Sequence, residues 1–309
     1  MIRAQQGDVR GVHDPCIMEE KGVYYLYCTG RGVPARRSTD LVHWQNAGRL
    51  FTEDVPAWAV QTIPGARGLW APDISLIDGE YRLYYSVSTF GSWRSCIGLA
   101  TNRTLDPQDP RYRWEDKGLV IASTPEGTDY NAIDANVVTD AAGQPWMVFG
   151  SFRTGIKIIR LDRRTGKPHP GEKPTPVAAR PGTNPQAIEG PCIVRHGDWY
   201  YLFVSFDYCC AGLKSDYKVA VGRSRSVTGP YVDAGGKLML EGGGTVILQG
   251  DGARVRGPGH CAVLQRPTGD ALVYHFVDAE DRGAPHLQIR RLLWPGDGFP
   301  TIGETMDGP

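Results

Sequence analysis

Four residues scattered over the chain carry acid–base or metal-binding groups in turn-like settings: Asp14 in "VHDPC", Asp134 in "NAIDAN", Glu189 in "AIEGPC" and His260 in "GPGHC". A related stretch, "LWAPD", brings Trp70 and Asp73. Taken singly, each has an ordinary explanation. Asp14 ahead of Pro15 suits a turn, Asp134 a turn cap, Glu189 a solvated loop, and His260 a hydrogen-bonded core position. Brought together they would do chemistry. Crowded carboxylates raise one another's pKa, so a protein that gathers three must balance them with cations or use the perturbation. Glycoside hydrolysis uses it: one carboxyl stays protonated near neutral pH as general acid, and another stays ionised as base or nucleophile. A third can hold up the acid's pKa and orient it.

A repeat supplies the elements that would gather them. Aromatic, β-rich runs recur as "YYLYCTG" (24–30), "YRLYYSVS" (81–88), "PWMVFGS" (145–151), "WYYLFVS" (199–205) and "ALVYHFV" (271–277), each after a turn such as "IDGE" or "RHGD". Their centres, Leu26, Leu83, Met147, Leu202 and Val273, lie about 57, 64, 55 and 71 residues apart. Another run precedes each turn, from "PCIMEE" to "HCAVLQ", and a third follows in at least three units. Each unit is expected to be an antiparallel meander, and radial repetition of meanders protects sheet edges. The expected fold is an all-β, five-bladed β-propeller, a single domain over residues 1–309 with no linker and no accessory domain. A two-sheet sandwich also uses many short strands but leaves the repeat unexplained. The first strands of all blades run the same way along the channel. Asp14, Trp70 with Asp73, Asp134, Glu189 and His260 should therefore meet at one mouth.

Composition narrows the function classes. The 309 residues include 34 basic and 34 acidic side chains with no basic run, which argues against nucleic-acid and membrane-surface partners. No apolar run approaches a membrane span. The 8 Trp, 14 Tyr, 39 Gly and 23 Pro suit many short strands and turns. Seven cysteines with no CxxC pair indicate neither a zinc framework nor a disulfide framework. Cys16, Cys192 and Cys261 each follow a ring residue and are expected to be small packing groups.

At these motifs the sequence resembles glycoside hydrolase family 43, most closely its arabinanases. The resemblance is carried by "HDP" (13–15), the run from "LWAPD" to "GLATN" (69–102), "DYNAIDANVV" (129–138), "MVFGSFRTGIKIIRLD" (147–162) and "VSFDYCCAGLKSDYKVAVGRSRSVTGPY" (204–231). It implies inverting, single-displacement hydrolysis of α-1,5-linked L-arabinofuranose in arabinan or arabino-oligosaccharides, expected to be endo-acting. Matched by motif, Asp14 would be the general base, Glu189 the general acid, and Asp134 the residue that tunes the acid and positions the sugar. The two reacting carboxyls of an inverting enzyme stand roughly 6.5–9.5 Å apart. The resemblance also implies a calcium ion on the channel axis, held by His260 and waters. It makes Trp70 and Phe90 aromatic platforms, with Asn131, Ser151 and the "DYCC" loop (207–210) lining the subsites.

Three departures from the family pattern carry expectations of their own. Ala135 replaces a proline, Gly190 and Cys192 would enlarge the space beside the acid, and Arg153 stands where an aromatic is common. Other activities remain open: an exo-arabinanase, arabinofuranosidase or xylosidase of the same family, or a non-catalytic sugar-binding propeller that would lack an acid. A monomer is expected. "MIRAQQGDVRG" has no signal-peptide core, so the protein is either cytoplasmic or trimmed, and a polymeric substrate favours the extracellular reading.

Overall fold

A computed structural model describes residues 5–296 and 298–306. Five antiparallel sheets follow one another along the chain. Their innermost strands are Cys16–Glu20, Trp70–Ile77, Asn136–Thr139, Ile188–His196 and Val255–Leu264, which define blades I to V. Within each blade the chain steps outward strand by strand, so the predicted meander is the observed unit. The fold is the expected five-bladed β-propeller.

The aromatic runs are the second strands: Val23–Tyr27, Glu80–Val87, Pro145–Phe149, Trp199–Phe206 and Ala271–Asp278. Blades pack face to face, so these strands are covered on both sides, and they read as continuous apolar stretches rather than alternating ones. Glu80–Val87 and Trp199–Phe206 are buried at every residue but the first. The core is therefore five inter-blade layers. One joins Tyr27 and Cys16 to Leu83 and Tyr85, the next Tyr84 and Ile97 to Met147 and Phe149. Val148 and Ile158 meet Leu202 and Phe206, Cys192 and Phe203 meet Leu272 and Phe276, and Leu264 and Val273 return to Ile17 and Leu26.

Closure uses the N-terminal segment. Gln6–Gly7 adds a parallel strand to the outer edge of blade I, and the next residues pair with blade V, where Leu287 N donates to Val9 O at 3.0 Å. Gln5 fixes the crossing: its amide oxygen, Oε1, accepts from Ile289 N at 3.1 Å, and its Nε2 donates to Met306 O at 3.2 Å. Among the described residues no helix is long and apolar enough to cross a membrane.

Candidate active site

Just before or within each innermost strand stands an equivalent residue in the left-handed region: Asp14 (φ 51°), Ala71 (φ 42°), Asp134 (φ 62°), Gly190 (φ 55°) and His260 (φ 47°). Such backbone costs about 1–3 kcal/mol per non-glycine residue unless its surroundings hold it. Here the preceding blade holds it. Ala71 N donates to Thr29 Oγ1 at 2.8 Å, Asp134 N to Ser86 Oγ at 2.9 Å, and His260 N to Ser205 Oγ at 2.8 Å. Asp14 N donates to His275 Nδ1 at 3.0 Å, and Gly190 N to Asp134 Oδ2 at 3.2 Å. The turn that throws a side chain out of the ladder is therefore built once and used five times.

Asp14 sits among imidazoles. Its Oδ1 is 2.8 Å from His13 Nδ1, 3.3 Å from His260 Nδ1 and 3.7 Å from His275 Nδ1, while Oδ2 accepts from Thr29 Oγ1 at 2.6 Å. Burial pushes the carboxyl up, but His13, His260 and His275 outweigh it and hold Asp14 well below the usual carboxylate range. The reciprocal holds for His13: burial opposes its charge, yet Asp14 raises it well above its ordinary value. His275 goes the other way, lowered well below its ordinary value by burial and by the charge of His13. It is thus a neutral ring whose Nδ1 accepts from a backbone N–H. It stacks on His13 at 3.8 Å between centroids.

Glu189 and Asp134 form the opposite half. Glu189 Oε2 accepts from Ser151 Oγ at 2.7 Å and Oε1 from Tyr217 Oη at 2.8 Å. Tyr217 remains a donor, since burial and the nearby Glu189 charge push its hydroxyl well up. Burial, then the charges of Glu189 and Asp14, raise Asp134 well above the usual range. An ionised carboxylate beside the His13 imidazolium therefore faces Asp134, a buried carboxyl that keeps its proton next to Glu189, and acid–base hydrolysis needs carboxyls in both states.

All eight site residues proposed from the sequence line one cavity of about 630 Å³: Asp14, Trp70, Phe90, Asn131, Asp134, Ser151, Glu189 and His260. The family model "Glycosyl hydrolases family 43" matches residues 9–300. This chain belongs to glycosyl hydrolase family 43. It is 42% identical over 294 residues to the extracellular endo-α-(1→5)-L-arabinanase 1 of Bacillus subtilis, covering 94% of this chain and 87% of that protein. It is 41% identical over 302 residues to the extracellular exo-α-(1→5)-L-arabinofuranosidase ArbA of Cellvibrio japonicus, covering 95% and 86%. The solved Cellvibrio cellulosa α-L-arabinanase complexed with arabinohexaose superposes with a TM-score of 0.91 at 39% identity, covering 96% of each chain.

Within this family 43 site, several expectations need correcting. Asp73 is not at the mouth. It lies two residues past the left-handed turn and faces the junction of blades II and III, accepting from Asn136 Nδ2 and Val137 N at 2.8 Å each. Burial raises its carboxyl to about 7. Gly190 does not enlarge the acid's surroundings: a Cβ there would lie 3.0 Å from His260 Nδ1, so the space belongs to that imidazole. Cys192 is buried in the layer between blades IV and V rather than in the cavity. Arg153 is not a cavity residue. Its guanidinium lies over Trp93 and donates to Thr124 O and Pro125 O at 3.1 and 2.6 Å, bracing a loop. The aromatic in that region is its neighbour Phe152, which lines the cavity and meets Tyr208 at 5.9 Å.

Two assigned substrate contacts have other partners. Ser151 is committed to Glu189, and Asn131 Oδ1 accepts from Ser95 Oγ at 2.7 Å, leaving its amide nitrogen for a ligand. Cys16, Cys192 and Cys261 are buried, with thiols pushed up by burial, as packing groups are. They share one slot: Ile17 opposite Leu26, Ile193 opposite Leu202 and Ala262 opposite Val273 are equivalent pairs, and in each blade the cysteine stands one residue before that pair. His13, Thr29, Tyr217 and His275 escaped sequence reasoning altogether. The one available signal was the shared tripeptide position: His13 stands directly before the turn in blade I, as Glu189 does in blade IV.

His260 offers a cation one imidazole nitrogen beyond the one turned to Asp14. Calcium prefers six to eight oxygens. The residues therefore fit an ion that keeps most of its water and do not build a protein cage. Among the described residues, the groups of three whose ligand atoms lie within 4.8 Å of one another are His13–Asp14–His275 and His13–Cys209–Cys210, neither of which includes His260.

Proposed function

We propose that this family 43 enzyme hydrolyses α-1,5-L-arabinofuranosidic bonds of arabinan and arabino-oligosaccharides by a single inverting displacement, cutting within chains. Asp14, kept ionised by His13, takes a proton from water as that water attacks the anomeric carbon. Glu189 gives a proton to the departing glycosidic oxygen, and Ser151 and Tyr217 fix its two oxygens. Asp134, whose carboxyl retains a proton beside Glu189, supplies the reserve of acid and aims at the sugar. Trp70 and Phe90 act as platforms and Asn131 as a hydrogen-bond donor to the sugar.

One observation carries the reading. A carboxylate pinned by imidazoles and a carboxyl pair that holds a proton line the same cavity. Endo action draws support from aromatic side chains on separate stretches of the wall: Trp70, Phe90 and Trp93 from blade II, and Phe152 and Tyr208 from the loops of blades III and IV. Sugars can then be held on both sides of the acids. His260 would hold calcium through one nitrogen with water completing the shell, and the ion would supply positive charge to the acid cluster. The enzyme acts outside the cell, in keeping with the extracellular names of its relatives, and does so as a monomer.

The test is product analysis. Debranched arabinan should yield mixed oligosaccharides with the inverted anomer at the new reducing end, and Glu189→Gln should be inactive. A single small product would replace endo with exo action. Release from aryl α-L-arabinofuranoside or arabinan that Glu189→Gln leaves untouched would overturn the assignment of the acid.

A further inference from the structure

The cavity holds a second set of donors that hydrolysis does not use. Cys209 and Cys210 line it from the loop after the second strand of blade IV. Their Sγ atoms are 2.7 Å apart, and Cys210 Sγ is 3.8 Å from His13 Nε2. Cys210 is exposed and Cys209 half-buried, whereas the other five cysteines are buried. The two thiols and the imidazole nitrogen lie within 4.8 Å of one another.

We infer that His13, Cys209 and Cys210 form a binding site for one zinc- or cadmium-class divalent cation, and that occupying it switches the hydrolase off. Two thiolates and an imidazole suit soft and borderline metals in tetrahedral geometry, with a fourth position open to water. Hard, oxygen-seeking ions such as calcium gain little there. His13 is already oriented as a ligand. Its Nδ1 is engaged by Asp14 at 2.8 Å and its ring lies against His275, so Nε2 is the nitrogen left to face Cys210. A carboxylate on the far nitrogen fixes a metal-binding imidazole in this way at many sites. Two thiolates on one tetrahedral metal stand roughly 3.8 Å apart for metal–sulfur bonds near 2.3 Å. The pair must therefore open by about 1 Å from its present contact, which the exposed end of Cys210 allows.

The consequence for Asp14 follows from geometry. The site shares His13 with the Asp14 carboxylate, 2.8 Å from its Nδ1, and both line the one cavity. A metal with its water there fills space that the substrate and the attacking water need. On binding, any proton on His13 Nε2 and each thiol proton leave to solvent, and two thiolates match the two positive charges of the metal. The inhibitory half of this inference rests on the hydrolase reading above. The binding half does not.

The experiment uses whole protein reduced with a phosphine until all seven thiols titrate. Cadmium is then added, and the thiolate-to-cadmium charge-transfer absorption is followed alongside arabinan cleavage. Wild type should saturate at one cadmium per chain and lose its rate in parallel, with recovery on adding a dithiol chelator. Cys209→Ser and Cys210→Ser should each lose the band. His13→Gln should weaken cadmium binding roughly tenfold or more while the thiolate band persists at high metal. Rates are compared with each protein's own metal-free rate, and Cys210→Ser should keep most of its rate at cadmium levels that silence wild type. No band in fully reduced protein, or an equal band in the Cys209→Ser/Cys210→Ser double variant, would overturn the site. Displacement of cadmium by an equal concentration of calcium would overturn its soft-donor character. A saturated band with an unchanged rate would overturn the inhibition.

Discussion

Asp14 and Asp134 occupy the same place in blades I and III. Both are left-handed, both precede the innermost strand, and both have their N–H caught by a side chain from the previous blade. Their carboxyls are nonetheless driven in opposite directions. Asp14 stands among His13, His260 and His275 and is held low; Asp134 has Glu189 as its charged neighbour and is held high. Burial acts on both in the same sense, so neighbours alone make the difference. The propeller fixes where a functional side chain points. The residue one step away along the strand, or one blade away around the ring, fixes what it can do.

The severest way to break the comparison is to neutralise the two reacting groups. Asp14→Asn and Glu189→Gln keep size and hydrogen-bonding capacity while removing base and acid. Each should lower kcat on arabinan by roughly 10³-fold or more, at the upper part of what one acid–base group supplies. A loss under about tenfold for either would reassign it to binding.

The same substitution at the two aspartates gives a sharper contrast. Asp134→Asn should reduce kcat by roughly 10²-fold, and the alkaline limb of the pH–rate profile should move to lower pH, because the shared proton reserve is gone. Stability should respond with opposite signs. A carboxyl raised on folding contributes stability that is present at low pH and lost as pH rises through its folded value. Asp134→Asn should therefore gain in Tm over the parent as pH rises from about 4, the ordinary value of the carboxyl. A carboxyl depressed on folding contributes stability that is present above its ordinary value and lost as pH falls. Asp14→Asn should therefore be less stable than the parent at neutral pH, with the gap narrowing below about pH 4. Thermal melts across pH would decide it, and parallel curves for the two variants would remove the comparison's basis.

A smaller effect isolates one neighbour. His13→Gln leaves a side chain able to donate to Asp14 but removes the charge, so the acidic limb of kcat/KM should move to higher pH with kcat down roughly tenfold. An unmoved limb would mean that the His13 charge is not what keeps Asp14 ionised.

How far the sequence disclosed this follows from what repeats and what does not. The aromatic second strands are buried on both faces, so they stood out as apolar runs at even spacing, and the five blades could be counted. The acids could be placed because each opens an innermost strand. What stayed hidden is contact between side chains of different blades. Nothing in "YHF" shows that His275 replaces the serine or threonine of other junctions, and nothing in "HDP" shows that His13 turns back onto Asp14. Register was a further limit. Asp73 shares a motif with Trp70, but the bulge at Trp70/Asp73 shifts the count, and one residue decides which face a side chain takes. Adjacent left-handed residues, Phe152 and Arg153, let the chain send the aromatic rather than the cation into the cavity, which no motif discloses.

The smallest expected effect tests the shared turn itself. Ser86 Oγ accepts the Asp134 N–H and Ser205 Oγ accepts the His260 N–H, in junctions of the same design. Replacing either serine by alanine leaves a buried amide without its acceptor, at a cost of about 1–3 kcal/mol, and removes no charge. If the junctions are equivalent supports, Ser86→Ala and Ser205→Ala should lower stability by similar amounts at every pH. They should part only in catalysis, where loosening Asp134 acts directly on the acid pair and loosening His260 acts at one remove through Asp14. The corresponding change in the last junction, His275→Thr, supplies a hydroxyl of the kind used elsewhere, so it should keep the cap while unstacking His13. Restored stability with a shifted acidic limb would show that the imidazole there is retained for Asp14's charge rather than for the turn. An unshifted limb would make it a cap like the rest.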